Sequence, residues 1–162
     1  MANNYLQFAT SIDDPTVVER EWWEKTLKLV EEFSGDETGG DFYEGKSQDD
    51  VQILKAVDND GFIDWAIDSS ADKEVWFADR DGCPNLDGLA NLIQIFHQRF
   101  RPLGIHIIEW AAICDKPRSG EFGGGVIAIT AKEIKSMTTA QAAENAVKCF
   151  NANGLVSFGI LG

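Results

Sequence analysis

Polar and apolar positions alternate with period two at the start of this chain and then change to helical spacing. Tyr5, Gln7 and Ala9 alternate with Leu6, Phe8 and Thr10, which predicts a strand over Tyr5–Ile12. Asp13, Asp14 and Pro15 then mark a helix start. Asp14 offers a cap with Pro15 in the first turn, and Thr16 with Glu19 offers a competing capping box. Val18, Trp22, Leu29, Val30 and Phe33 recur at intervals that suit a helix packed on a sheet, with Trp23 and Leu27 widening the stripe.

The pattern breaks over 34–50, an acidic loop that contains Gly35, Gly39, Gly40 and Gly45. Connections of this length are usually functional or mobile. Phe42 and Tyr43 stand inside it and are expected to pin it to the body, because buried aromatics stabilise strongly. Val51–Val57 reads either as a short helix capped by Ser47 with Asp50 or as a strand. Asp58-Asn59-Asp60-Gly61 signals a turn into a strand over Phe62–Asp68, and Glu74–Asp79 reads as the next strand.

Asn85 is a cap for a helix through Arg101, with Leu89, Leu92, Ile93, Phe96 and Phe100 as its buried stripe. Arg99 and Arg101 are expected to complement the helix dipole in the last turn, and Pro102 ends the helix. Ile105–Cys114 is apolar enough for a central strand, and Gly125–Ala131 reads as another after a loop. Thr138 with Gln141 resembles a capping box that opens a helix to about Asn151, with Gly154 as its C-terminal cap. Leu155–Leu161 reads as a short strand or a docked tail.

This order predicts an α+β fold. Its first six elements match a ferredoxin-like split β-α-β sheet with helices packed on one face, extended by an extra strand and a C-terminal helix. The 162 residues suit one domain over 1–162, in which roughly 70% of the unfolded surface is buried without help from disulfides or metal. Architecture says nothing of activity.

Charge changes the picture. The net charge is −13, and residues 31–87 carry all of that imbalance, with seventeen acids against four bases. Residues 88–162 are mildly basic. Such asymmetry suggests an acidic, partner-facing surface, although the same charge also serves solubility. Direct binding of nucleic acid or anionic membranes through that region is disfavoured, because both are driven by Lys and Arg. No apolar run reaches the roughly 18 residues of a membrane span, and no signal-peptide pattern opens the chain. Cys83, Cys114 and Cys149 are odd in number and irregular in spacing, which fits reduced thiols in a cytoplasmic protein.

Candidate chemistry is sparse. Aligning Gly61 with the obligatory glycine of a calcium loop puts Ala56 and Ile67 where acidic ligands are needed, so the motif fails. Cys83, His97, His106, Cys114 and Cys149 lack zinc spacing, and no cofactor is expected. The loop Lys116–Gly125 is basic and glycine-rich but precedes a strand rather than a helix. It therefore suits a hairpin, or a protein contact anchored by Arg118, better than a phosphate cradle. There is no nucleophile elbow and no Cys-x-x-Cys.

The sharpest feature left is an acidic ladder at even positions, Asp58, Asp60, Asp64, Asp68 and Asp72, running toward Glu74. Residues two apart on a strand lie about 6.6–6.8 Å apart. A row of carboxylates at that spacing can occupy a cationic groove built for nucleic-acid phosphates. The first expectation is thus a non-enzymatic inhibitor or immunity-type protein that covers a basic, nucleic-acid-handling partner. The alternatives are a small cytosolic enzyme with a site near Asp79, Asp81 and Cys83, and an assembly module, which a large exposed apolar patch would favour.

Overall fold

The computed structural model describes residues 4–34, 43–57, 74–78, 85–114 and 123–152. They form β1 (Asn4–Asp13), α1 (Val17–Ser34), α2 (Gln48–Val57), β2 (Glu74–Ala78), α3 (Leu86–Arg99), β3 (Ile105–Cys114), β4 (Gly123–Thr130), β5 (Ile134–Thr138) and α4 (Thr139–Ala152). The described strands make one antiparallel sheet in the order β2-β1-β3-β4-β5. The fold is therefore α+β.

Both β2 and β3 pair antiparallel with β1, so they run parallel to each other, with β1 between them and α3 as the crossover. From β3 the chain continues as a meander through β4 and β5. The strand expected over Phe62–Asp68 lies outside the described residues.

The core lies on one face of the sheet. Ile12, Val75, Phe77, Ile108, Ile127 and Ile129 meet Trp23, Val30, Leu54, Leu92, Ile93 and Phe96 from α1, α2 and α3. Trp23 is central: its ring lies 5.0 Å from Phe77 and 5.4 Å from Phe96. Each such aromatic side chain removes about 150–250 Å² from water. Trp110 on the same sheet face requires Gly125 opposite it, because a Cβ there would come within 2.9 Å of the indole and 2.5 Å of the Met137 carbonyl oxygen.

The helix starts show which local signals prevailed. Thr16 and Glu19 form the capping box: the Thr16 N–H donates to Glu19 Oε2 at 2.7 Å and the Glu19 N–H to Thr16 Oγ1 at 3.3 Å. Asp14 is not the cap. It adopts a left-handed conformation, φ 44°, which a short polar side chain tolerates, and so reverses the chain between β1 and α1. Val18, expected in the buried stripe, is 61% exposed, because the helix turns Trp22, Trp23 and Thr26 inward instead.

Val51–Val57 is helical, with the Asp50 N–H donating to Ser47 Oγ. The last carbonyls of this helix are taken up by α3: Asn91 Nδ2 donates to Ala56 O and Asn85 Nδ2 to Val57 O, both at 2.9 Å. Asn85 also caps α3, accepting from the Gly88 N–H at 2.8 Å. Tyr43 packs on Phe33 as the sequence suggests; Phe42 lies outside the described residues. Thr138 and Gln141 exchange the two bonds of the expected capping box. The strand β5 was not foreseen, because Lys135 and Ser136 interrupt its short apolar alternation.

Candidate functional site

Three places bring chemistry-bearing side chains together among the described residues. The first joins the β1–α1 turn to the end of α3. Arg101 lies beyond the helix it was expected to complement. Its Nε donates to Glu19 Oε1 at 2.8 Å and its Nη2 to Glu19 Oε2 at 3.1 Å, a fork matched to a carboxylate. Nη2 also reaches the carbonyl oxygens of Asp13 and Asp14. The Glu19 side chain is 6% exposed, and hydrogen bonding from Arg101 holds its carboxyl down at about 2, against the opposing effect of burial.

Beneath this fork lie two histidines, with ring centroids 6.4 Å apart. His97 Nδ1 sits 3.0 Å from the Arg101 carbonyl oxygen. A carbonyl only accepts, so Nδ1 carries a proton, and Nε2 is buried with no hydrogen-bond partner among the described residues. His106 Nε2 lies 2.7 Å from Thr10 Oγ1. Burial, followed by repulsion from His97, pushes the His106 imidazole down to about 4. Gly104 closes the pocket: a Cβ there would meet the His97 ring at 2.5 Å. This cluster clamps elements 82 residues apart in sequence. It presents no nucleophile to solvent.

The second place is a small cleft where α1, α2 and α3 meet, lined by Trp22, Lys25, Thr26, Ser47, Asp50 and Arg99. Lys25 pairs with Asp50 at 2.9 Å and Arg99 with Asp49 at 3.1 Å. Hydrogen bonds from Lys25 and Ser47 lower the Asp50 carboxyl. These charges satisfy one another, so the cleft offers a ligand little net field. The Thr26 hydroxyl is buried there without a hydrogen-bond partner among the described residues.

The third place is the outer face of the sheet. Residues opposite one another in register share a face. Ala9, Glu109, Val126 and Met137 form one row across it, and Ile107, Ala128 and Lys135 form the next. Ser11 and Trp76 extend the face to the edge strand. The large apolar members are open to solvent: Ile105 70%, Ile107 55%, Met137 44%, Val126 39% and Trp76 37%. A sequence signal for this existed in β3, whose Ile105-His106-Ile107-Ile108 run is apolar on both faces. Such a strand is suited to cover on both sides.

Of the residues the sequence singled out for partner binding, Glu74 is described. It opens the edge strand β2 directly opposite Asp13. Asp58, Asp60, Asp64, Asp68, Asp72 and Arg118 lie outside the described residues, as do Asp79, Asp81 and Cys83. Among the described residues no cluster of three His, Cys, Asp or Glu could hold a metal ion, and no helix is long and apolar enough to cross a membrane. Comparison with protein-family models, curated proteins and solved structures finds no match to this chain.

Proposed function

We propose that this chain is a protein-interaction module that works by contact rather than by catalysis, with the outer sheet face as its contact surface. The observation that carries this reading is the set of exposed Trp76, Ile107, Val126 and Met137, spread over adjoining rows of one sheet face. The largest exposed apolar patch on a soluble protein is often functional, and patches beyond a few hundred Å² mark interaction sites. The small Ala9 and Ala128 between the bulky side chains leave space into which a partner's side chains can pack.

A second reading keeps the acidic region as a surface for a basic, nucleic-acid-handling partner. It is favoured by the Asp13–Glu74 pair, since like charges directly opposite on neighbouring strands are destabilising unless something neutralises them. Glu74 follows the acidic segment directly in sequence. In this reading Asp58, Asp60, Asp64, Asp68 and Asp72 supply the charge and Arg118 a separate anchor. The ferredoxin-like arrangement is likewise proposed: a strand over Phe62–Asp68 beside β2 would complete it around the split unit of β2, α3 and β3.

Affinity capture from native host extract at low and high salt, read by mass spectrometry, separates the two readings. Contact through the sheet face gives salt-resistant capture that Ile107→Asp abolishes. Contact through the acids gives salt-sensitive capture that survives Ile107→Asp and is lost when Asp64, Asp68 and Asp72 become Asn. Capture unaffected by Ile107→Asp refutes the sheet-face reading.

A further inference from the structure

The cleft between α1, α2 and α3 lies on the helical side of the sheet, away from the exposed apolar face, and its wall holds a polar group without a partner. Thr26 is 1% exposed, and its hydroxyl makes no hydrogen bond among the described residues. A threonine in a helix can turn its hydroxyl back to a carbonyl one turn earlier, and Thr26 does not use that option. Buried polar groups are nearly always paired, so an unpaired one calls for an explanation. The space beside it is about 160 Å³. A cavity of about 150 Å³ holds one benzene ring, so this one suits an organic molecule of roughly that size.

Little net field is not absence of charge. The lining carries two bases, Lys25 and Arg99, and two acids, Asp49 and Asp50. Their sum is zero, so a ligand of one sign gains little, whereas a ligand with one charge of each sign can meet both. Asp50 is the sheltered acid. Its side chain is 14% exposed, and hydrogen bonds from Lys25 and Ser47 hold its carboxyl below the usual carboxylate range. Arg99 offers the planar fork that matches a carboxylate. Trp22 and Ile53 supply the apolar part of the wall.

An entrance is present as well. The Arg99 and Asp49 side chains are 46% and 61% exposed, and a solvated pair of this kind contributes little and opens readily. Outside the cleft lies a more open hollow of about 260 Å³ that shares Asp49, Ile53 and Arg99 with it. The ion pair therefore stands where the inner cleft meets the outer one.

We propose that this cleft binds a small zwitterion of the α-amino-acid class, with its ammonium toward Asp49 and Asp50, its carboxylate on the Arg99 guanidinium and a short side chain against Trp22 and Ile53. The Thr26 hydroxyl, which can donate or accept, bonds the ligand at the inner end. Binding exchanges the Arg99–Asp49 pair for the two charged ends of the ligand. The site is independent of the sheet-face contact, which lies across the sheet.

The test is titration calorimetry and thermal unfolding of the purified full chain with glycine, L-alanine, L-valine and L-threonine. N-acetyl-L-valine and isobutylamine, each lacking one of the two charges, are the controls. At least one free amino acid should bind with a Kd of about 0.1–1 mM and raise the unfolding midpoint. Each control should bind at least about tenfold more weakly. Thr26→Val keeps the shape of the side chain and removes a hydroxyl that has no internal partner, so the fold survives and affinity drops about tenfold. Arg99→Gln, at an exposed position, should weaken binding to a similar extent, and Ile107→Asp should bind as wild type does. Failure of all four amino acids to bind, equal binding of either control, or wild-type affinity in Thr26→Val or Arg99→Gln overturns the inference. If Thr26→Val does not fold, Arg99→Gln decides alone. None of these results bears on the sheet-face reading, which is decided by capture through Ile107→Asp.

Discussion

Glu19→Gln isolates the charge in the fork between α1 and the end of α3. The amide keeps the size of the side chain and can still close the capping box, which accepts Gln as well as Glu. What it removes is the carboxylate that Arg101 grips at 2.8 and 3.1 Å. The Glu19 carboxyl is held down at about 2 rather than 4.5. At about 1.4 kcal/mol per tenfold change, that difference corresponds to roughly 3 kcal/mol at neutral pH. Arg101 keeps some exposure and its bonds to two carbonyls, which reduces the expected loss to about 2–3 kcal/mol.

The sign follows from proton binding. Between about pH 4.5 and 2 the unfolded chain binds the Glu19 proton and the folded chain does not. Stability from this group is therefore complete above pH 4.5 and drains away as pH falls through that window. Urea unfolding of both proteins at pH 7 and at about pH 3.5 measures it. The gap between wild type and variant should be about 2–3 kcal/mol at pH 7 and about 1 kcal/mol smaller at the lower pH. Other titrating groups cancel in the difference. A gap below about 1 kcal/mol at neutral pH, typical of a solvated surface pair, or one that does not change with pH, refutes the reasoning.

His106 titrates in a higher window. Its imidazole is held near 4 when folded and takes a proton near 6.5 when unfolded, so its share of stability is present above pH 6.5 and lost as pH falls to 4. His106→Gln, which can still bond Thr10, should remove about 2 kcal/mol of that acid-driven loss, read as a flatter unfolding midpoint between pH 6.5 and 4. Gly104→Ala should lower stability by about 1–3 kcal/mol, because the new methyl must displace the His97 ring that bonds the Arg101 carbonyl. A matching change in the chemical shifts of His97 would locate the strain, and an unchanged urea midpoint would count against it.

Local signals were legible wherever a few neighbouring residues decide the outcome. Thr16 with Glu19, Asn85, and Thr138 with Gln141 each cap the helix their spacing suggested. The stripe Leu89, Leu92, Ile93 and Phe96 is buried as its period requires. The sequence left alternatives open where two local signals competed. Asp14 and Thr16 offered rival starts, and the left-handed turn at Asp14 settled the matter. Val51–Val57 fits either period, and its helix is fixed by Asn85 and Asn91 from α3. The candidate surface was not foreseen, because whether Ile105, Ile107, Val126 and Met137 share a face depends on strand register.

By itself, the sequence determined the α+β class, most helix boundaries and the place of the acidic charge. These follow from spacing, caps and composition, which act over a few residues. Only the tertiary structure decided the strand order, the grip of Arg101 on Glu19 across 82 residues, and the open apolar face beyond the core. The physical reason is common to all three. Hydrogen-bond ladders and buried ion pairs join groups whose separation along the chain carries no information about their separation in space.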